Sequence, residues 1–300
     1  MAELILRGAS VARVLCDKTA ERVRALSEKG IVPCLALLRI GSREEDISYE
    51  RSAQKRCESL GIRVVSVVLP PDVDEEGVKA AIRKLNGDNS VHAVLIMLPL
   101  PENMDSRAVC DTLAPEKDID GVSSRAMADL YEGRGELFAP CTACACMELM
   151  NYYGITPAGK RAVVIGRSIV VGRPAAMLLL RENATVTLCH RQTERLSELT
   201  READIVLAAA GEKGLIRPEW LSPGQTLIDI GTNWDEKTQR LCGDAVPECE
   251  KTVRAFSPVP GGVGAVTTAV LAAHTVEAAE KSFRFQVETE SGLIGGSYEL

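Results

Sequence analysis

A buried strand that runs into a glycine turn and then a helix dominates residues 161–180 (RAVVIGRSIVVGRPAAMLLL). Gly166 allows a tight turn after the strand, and Gly172 allows the following helix to pack closely. The first turn of such a helix presents free backbone N–H groups and the positive end of the helix dipole. The segment therefore predicts a phosphate-binding turn, although Ser168 occupies the second glycine of the usual GxGxxG motif and one residue is inserted.

Strand-like and helical segments alternate on both sides of this turn. Before it, helices are predicted at 11–29, 48–60 and 74–86, and apolar strands at 34–41, 63–70 and 93–101. After it, the strand-like segments are RAVVIG, ATVTLCH, DIVLAAAG and QTLIDIG. This order predicts an α/β protein with mostly parallel sheets and right-handed crossovers.

The pattern is interrupted at residues 139–160 by a turn, a helix of about residues 143–153, and then Gly154 and Pro157. We therefore expect two domains. Residues 1–142 would form the first, together with a C-terminal helix of about 267–300 that packs back onto it. Residues 143–266 would form a Rossmann-like dinucleotide-binding domain. Within the C-terminal part, 267–281 reads as the helix and 283–300 as a loosely held tail.

Composition excludes several classes of protein. The chain has 300 residues, of which 46% are hydrophobic, so it can bury a sizeable core and is not globally disordered. A net charge of -7 and 4% aromatic residues argue against a general nucleic-acid surface. No apolar run is long enough to cross a bilayer, and no secretion signal is recognisable. Ten cysteines in such a chain are expected to be reduced thiols, which predicts a soluble cytoplasmic protein.

The end of the second strand after the turn bears on the choice of cofactor. An NAD-specific site usually carries an acidic residue there, which binds the ribose 2′-hydroxyl. Here the residues are His190, Arg191, Gln192 and Thr193. Arg191, with Arg167 from the glycine turn, would attract a 2′-phosphate, which favours NADP over NAD. The alternative is that both arginines are solvated surface charges.

Six blocks carry a resemblance to a known family: MLPLPENMD (97–105), PEKDIDG (115–121), APCTA (139–143), VVIGRSIVVGRP (163–174), ATVTLCH (184–190) and PVPGGVGAVT (258–267). Along nearly its whole length the chain resembles the methylenetetrahydrofolate dehydrogenase/cyclohydrolase family. The resemblance implies two α/β domains with a cleft between them, usually in a homodimer. It also implies oxidation of 5,10-methylenetetrahydrofolate to 5,10-methenyltetrahydrofolate with NADP, less often NAD. Many members then hydrolyse the product to 10-formyltetrahydrofolate.

The resemblance also assigns site residues. Tyr49 would stack against the folate, and Asp120 would bind the amino-pyrimidine edge of the pterin. Without the family, Tyr49 would be a packing residue and Asp120 a turn residue before Gly121. The other substrate-binding residues implied are Leu98, Pro99, Pro260, Gly261 and Gly262. The cofactor-binding residues implied are Gly166, Arg167, Ser168, Val170, Gly172, His190, Arg191, Thr193, Gly211, Gly231, Thr232, Gly264 and Thr267.

Two departures from the family pattern concern chemistry. The catalytic lysine of bifunctional members, one helical turn after the tyrosine, falls on Ala53, and the glutamine that meets it falls on Met97. Lys55 lies two positions further on and would point elsewhere. Hydride transfer needs mainly positioning, whereas hydrolysis needs a polar group that moves protons. We therefore expect a dehydrogenase with little or no cyclohydrolase activity.

Two other readings of the function stay open. One is a bifunctional enzyme in which another group replaces the lysine. The other is a catalytically silent paralogue that binds folate or dinucleotide.

Three further features are assigned to structure. The cysteines of CTACAC (141–146) lack a second pair at zinc-site spacing, so no metal is expected. Thr142 is instead expected to be the N-cap of the following helix. His190 is expected to serve structure or the ribose and not to act as a general base. The acidic run 44–46 is expected to be a solvated loop.

Overall fold

The computed structural model describes residues 2–236 and 238–290. They form two compact units, of which the first contains residues 2–15, 120–122 and 126–270. The second contains residues 16–119, 123–125 and 271–290. These units differ in their bounds from the predicted domains, because residues 2–15 and 126–142 lie in the first unit, with residues 143–266.

The strands are short and are spread along the chain. Their bounds are β1 (Leu4–Ile5), β2 (Cys34–Ile40), β3 (Arg63–Leu69), β4 (Ala93–Ile96), β5 (Arg161–Ile165), β6 (Thr185–Cys189), β7 (Ile205–Ala208), β8 (Thr226–Asp229), β9 (Asn233–Asp235), β10 (Arg240–Cys242) and β11 (Ala255–Ser257).

Helices connect most of these strands. Their bounds are α1 (Gly8–Ser27), α2 (Glu44–Ser59), α3 (Glu75–Gly87), α4 (Ser106–Cys110), α5 (Ser124–Glu132), α6 (Cys141–Tyr152), α7 (Gly172–Arg181), α8 (Leu196–Glu202) and α9 (Val263–Glu290). Short 3₁₀ turns lie at Pro218–Trp220 and Pro247–Lys251.

The sheet of the second unit has three parallel strands in the order β3-β2-β4. Strand β2 is central, and its first five residues, 34–38, are buried because a middle strand is covered on both faces. Its alternate residues Cys34, Ala36 and Leu38 pack in a core with buried side chains of α3, such as Val78 and Ile82. This half of the α/β prediction is confirmed.

The first unit contains a six-stranded parallel sheet in the order β1-β11-β8-β7-β5-β6. From β5 the chain moves outward to β6 and then returns to the other side of β5 as β7. This reversal is the topological switch point at which doubly wound sheets bind ligands, beyond the carboxyl ends of the strands. The Rossmann-like α/β architecture expected from the sequence is confirmed.

Several predicted element bounds need correction. The acidic run 44–46 is not a loop, because it forms the first turn of α2, where negative side chains complement the helix dipole. Asp46 is also paired there with Arg43 through two hydrogen bonds of 2.9 and 2.7 Å. Helix α9 is longer than the predicted 267–281 and includes residues 283–290 of the predicted tail. Residues 291–300 of that tail lie outside the described residues.

The ten cysteines are all free thiols. Eight of them are buried, and Cys144 and Cys242 are half-buried. No helix in the described part of the chain has the length and apolar character needed to cross a membrane.

The packing of α7 on β5 yields a test of the glycine turn. A Cβ on Gly172 would overlap the carbonyl oxygen of Gly166, which is backbone and cannot rotate away. We expect Gly172→Ala to lower the free energy of unfolding by about 1–3 kcal/mol through overpacking, measured by urea denaturation. Gly87→Ala is the control, because its Cβ would meet nothing within 4 Å. Equal shifts in the two variants would contradict this account of Gly172.

Candidate active site

A cavity of about 780 Å³ opens beyond the carboxyl ends of β5, β6 and β7. Its lining comes from the three segments that follow these strands, namely Gly166, Arg167, His190, Arg191, Gln192, Ala210, Gly211 and Glu212. The sheet therefore places a polar cavity at its switch point, where a dinucleotide is expected.

The glycine turn packs closely against the segment that follows β7. Gly166 has a φ of 120°, and a Cβ there would overlap the carbonyl oxygen of Ala209 after β7. The Ser168 hydroxyl accepts the N–H groups of Val171 at 3.1 Å and Gly172 at 3.4 Å, so it caps the start of α7. Ser168 thus has an observed role in shaping the turn. Val170, in the same turn, is half-buried.

The turn after β6 is shaped by two of the predicted residues. The Thr193 hydroxyl accepts the N–H of His190 at 2.9 Å, and His190 Nδ1 accepts the N–H of Gln192 at 3.2 Å. These bonds leave Arg191 exposed at the tip, and Arg167 is exposed on the neighbouring segment. Two cations therefore line one cavity, to which Glu212 adds an acidic side chain.

The remaining predicted cofactor residues are distributed unequally. Gly211 lines the cavity. Four others lie outside the residues that line this cavity, namely Gly231, Thr232, Gly264 and Thr267. Gly231 is buried against Asp244, and Thr232 is exposed. Gly264 and Thr267 lie in the first turns of α9, where the Thr267 hydroxyl donates to the carbonyl of Val263 at 3.3 Å.

Two buried carboxylates beside the cavity were missed by the sequence reading. Asp244 accepts the N–H groups of Ala210, Gly211 and Glu212, at 2.6, 3.1 and 2.9 Å. Asp229, the last residue of β8, accepts the N–H group of Asp244 at 3.0 Å. An acidic residue that ends an otherwise apolar strand, as in QTLIDIG, is the signal that could have found Asp229.

Asp229 also accepts N–H groups from Gly231 at 3.0 Å and from Ala245 at 2.9 Å. Burial nevertheless raises the pKa of Asp229 to about 6, and the charge of Asp244 adds to the rise. The backbone N–H groups act in the opposite direction and lower it. Desolvation is therefore the dominant influence on this carboxyl group.

The predicted catalytic residues of the second unit lie near the carboxyl end of its sheet. Tyr49 is half-buried on α2, and Ala53, one turn later, is fully buried. Met97 follows β4, is buried, and donates its N–H to Leu38 of β2 at 2.9 Å. Leu98 and Pro99 are joined by a cis peptide bond directly after Met97.

An ion pair missed by the sequence reading joins α2 to this end of β2. Arg39 Nε lies 2.5 Å from a carboxylate oxygen of Glu50, the residue after Tyr49. The two side chains are only 16% and 10% exposed. The helix that carries Tyr49 is thus tied to the sheet through a largely desolvated charge pair.

Asp120 belongs to the first unit and caps a helix. Its Oδ1 accepts the N–H of Cys141, the first residue of α6, at 2.8 Å. The prediction that Thr142 caps this helix is wrong, because α6 begins at Cys141 and Thr142 lies inside its first turn. Asp120 instead reaches the first N–H of the helix from a distant turn. Gly121 has a φ of 57° there, and a Cβ on it would overlap the carbonyl oxygen of Phe138.

The loop before α9 contains the predicted substrate residues Pro260, Gly261 and Gly262. Pro260 follows a cis peptide bond, and Gly261 accepts the N–H of Gly8 at 2.8 Å. A Cβ on Gly262 would overlap the buried hydroxyl of Ser257, so only glycine fits there. Within the described residues, no group of three or more His, Cys, Asp or Glu side chains could hold a metal ion.

The raised pKa of Asp229 predicts a pH dependence of stability. Because its folded pKa of about 6 exceeds the usual 3.8, its stabilising contribution is complete below pH 3.8 and is lost as the pH rises through 6. We expect thermal and urea unfolding to show the wild type losing about 2 kcal/mol relative to Asp229→Asn between pH 4 and 7. A wild-type-minus-variant difference that stays constant over this range would contradict the prediction.

Comparisons with known proteins agree with this architecture. Residues 6–120 match the model of the tetrahydrofolate dehydrogenase/cyclohydrolase catalytic domain, and residues 140–283 match that of the NAD(P)-binding domain of the same family. The bifunctional protein FolD of Carboxydothermus hydrogenoformans is 43% identical over 277 residues, which cover 92% of this chain and 96% of the relative.

Two solved structures are similar over almost the whole chain. The bifunctional methylenetetrahydrofolate dehydrogenase/cyclohydrolase FolD of Campylobacter jejuni has a TM-score of 0.90 and 36% identity, covering 92% of this chain and 98% of its own. The Trypanosoma brucei enzyme, solved with NADP and an inhibitor, has a TM-score of 0.89 and 35% identity, covering 95% and 100%. With both of its domain models matched in order, the chain belongs to the tetrahydrofolate dehydrogenase/cyclohydrolase family.

Proposed function

We propose that this protein oxidises 5,10-methylenetetrahydrofolate to 5,10-methenyltetrahydrofolate with NADP and has little or no cyclohydrolase activity. The observation that carries the proposal is the pair of buried apolar side chains Ala53 and Met97. They stand where the family resemblance places a lysine and a glutamine. The cofactor half of the site, in contrast, keeps its glycine turn and two cations.

The dehydrogenase step needs few groups from the protein. A hydride leaves the methylene carbon with both electrons of its C–H bond, and the folate becomes the methenyl cation. When bound, the nicotinamide accepts this hydride at its C4. No water is activated and no proton is transferred, so the protein's task is to hold the two carbons close together. We assign folate stacking to Tyr49 and pterin binding to Asp120, whose Oδ1 already accepts the Cys141 N–H.

The hydrolytic step has different requirements. Water must attack the methenyl carbon, and the proton it releases must be taken up by a polar group within hydrogen-bond reach. The side chains of Ala53 and Met97 have no nitrogen or oxygen with which to do this. General acid–base catalysis typically contributes about 100- to 10,000-fold, so its absence leaves mainly the spontaneous reaction.

The cavity fits NADP by its charge and by its backbone. Gly166 and Arg167 of the glycine turn line the cavity, so the backbone of this turn can approach a pyrophosphate closely. Arg167 and Arg191 are exposed in the lining, and residues 190–193, which directly follow β6, include no carboxylate. Guanidinium groups bind phosphate through charge-assisted hydrogen bonds, which favours the 2′-phosphate of NADP over the 2′-hydroxyl of NAD.

A bifunctional enzyme is the second candidate. The relative from Carboxydothermus hydrogenoformans, at 43% identity, is named a bifunctional protein, which favours this reading. It would require another polar group to replace the lysine. The homodimer and the cytoplasmic location expected from the sequence stay predictions.

The first test measures the two reactions together. With methylenetetrahydrofolate and NADP, in a buffer where spontaneous hydrolysis is slow, we expect methenyl absorbance to rise with enzyme and then decay at a rate independent of enzyme concentration. If the methenyl absorbance decays faster as more enzyme is added, the monofunctional proposal is wrong. Failure to reduce either NADP or NAD would instead favour the silent paralogue.

The matched variant for this test is the double substitution Ala53→Lys with Met97→Gln, which supplies the two missing polar groups. We expect methenyl decay to become enzyme-dependent, by about 100-fold or more over the wild type if the groups are correctly placed. Because Ala53 is fully buried, thermal unfolding of the double variant is measured alongside. A folded double variant without hydrolysis would argue that the pair alone does not account for the missing activity.

The second test concerns the cofactor. Loss of one charge-assisted hydrogen bond to phosphate typically weakens binding about 10- to 100-fold. We expect Arg191→Ser to raise the KM for NADP by that factor while the KM for NAD changes little. Arg195→Ser is the control, since Arg195 lies in the same segment, pairs with Glu198 at 3.4 Å and is absent from the cavity lining. Equal changes in the KM values for NADP and NAD would show that Arg191 does not bind the 2′-phosphate.

A further inference from the structure

We propose that Asp244 is a positioning residue for dinucleotide binding, because its carboxylate holds the backbone of residues 210–212 as one wall of the cavity. This inference rests on the proposed cofactor. Asp244 is not itself among the residues that line the cavity. Its effect on the cofactor would be transmitted through the segment that it binds.

The backbone of residues 210–212 has the geometry of an anion-binding site, and the carboxylate of Asp244 occupies it. Oδ2 of Asp244 accepts the N–H groups of Ala210 at 2.6 Å and Gly211 at 3.1 Å. Oδ1 accepts the N–H of Glu212 at 2.9 Å and the side-chain amide of Asn233 at 2.9 Å. Successive backbone N–H groups that converge in this way form a nest for anions. Here the protein's own carboxylate occupies the nest.

Occupation of the nest has a consequence for the ligand. The N–H groups of residues 210–212 already bind Asp244, so they are not available to a phosphate of the cofactor. The phosphates must then be bound elsewhere in the cavity, where the glycine turn and the arginines lie. The segment 210–212 contributes its shape and its outward-facing atoms.

Asp244 is fixed on its other sides. It is fully buried, its N–H donates to Asp229 at 3.0 Å, and its carbonyl accepts the N–H of Ile216 at 3.0 Å. A Cβ on Gly231 would overlap the carboxylate of Asp244, and a Cβ on Gly243 would overlap that of Asp229. Two glycines without room for a side chain thus keep the carboxylates in place.

Besides Asp244, the wall is held by Ala210, which packs against the core of the sheet, and by the Glu212 carbonyl, which accepts the N–H of Leu215 at 3.3 Å. The outer part of the wall, in contrast, faces solvent. Gly211 and Glu212 are exposed, and Gly211 has a φ of 66°, which most residues avoid. The neighbouring Lys213 pairs with Asp235 at 2.7 Å, but the lysine side chain is 49% exposed, where such pairs contribute little. Loss of the Asp244 carboxylate would therefore change the cavity wall before it changes the sheet.

The test is Asp244→Asn, which keeps the size of the side chain and replaces one accepting oxygen by an NH₂ group. At least one of the backbone N–H groups then faces a donor instead of an acceptor. We expect the Kd of the full-length protein for NADP, measured by titration calorimetry, to rise about 10-fold or more. The Kd for NAD should rise by a similar factor, unlike the NADP-specific effect expected of Arg191→Ser. KM for the cofactor should change more than kcat.

Asp235→Asn is the matched control, with the same chemical change on the adjacent hairpin, and it should alter neither Kd by more than about 2-fold. If Asp244→Asn does not fold, Asn233→Ala removes only the fourth donor and should weaken both cofactors about 2- to 10-fold. Unchanged affinity in folded Asp244→Asn, or in Asn233→Ala where the first does not fold, would overturn the proposal. If the wild type bound neither cofactor, the proposed function itself would fail.

Discussion

The cofactor edge of the six-stranded sheet depends on the close approach of three backbone segments. A side chain on Gly172 would strike the carbonyl of Gly166, and a side chain on Gly166 would strike that of Ala209. The N–H of Ala209 in turn donates to Ile165 at 2.7 Å. The start of α7, the end of β5 and the segment after β7 are therefore set at backbone distance from one another. Any side chain between them would widen the cavity that they form.

Charge is divided between buried and exposed parts of this edge. The acids Asp229 and Asp244 are buried and consume backbone N–H groups, so they organise the segments around the cavity. The bases Arg167 and Arg191 remain exposed at the strand ends. A net charge of -7 is thus compatible with an anionic cofactor, because the local charges that face the cavity differ from the average.

The sequence predicted what depends on local pattern. The core strands and the glycine turn carry their own signals, because apolar runs and glycines act over a few residues. Strands β1 and β11, of two and three residues, were missed because their pairing joins residues about 250 positions apart, Leu4 with Ala255. The hydrogen bonds from the N–H of Cys141 to Asp120 and from the N–H of Ala210 to Asp244 were also missed, because they join residues that are distant in the sequence. The departures that we propose at Ala53 and Met97 rest on the family resemblance, and periodicity alone would have assigned both residues to the core.

The burial of the cysteines affects how readily their thiols react with other molecules. Burial raises the pKa values of Cys57, Cys110 and Cys249 to about 12. Since the thiolate is the reactive form, these groups are almost entirely in the unreactive thiol form at neutral pH. A chain with an unusual number of sulfur atoms is thereby protected at these positions from alkylating agents and from peroxide for as long as it stays folded.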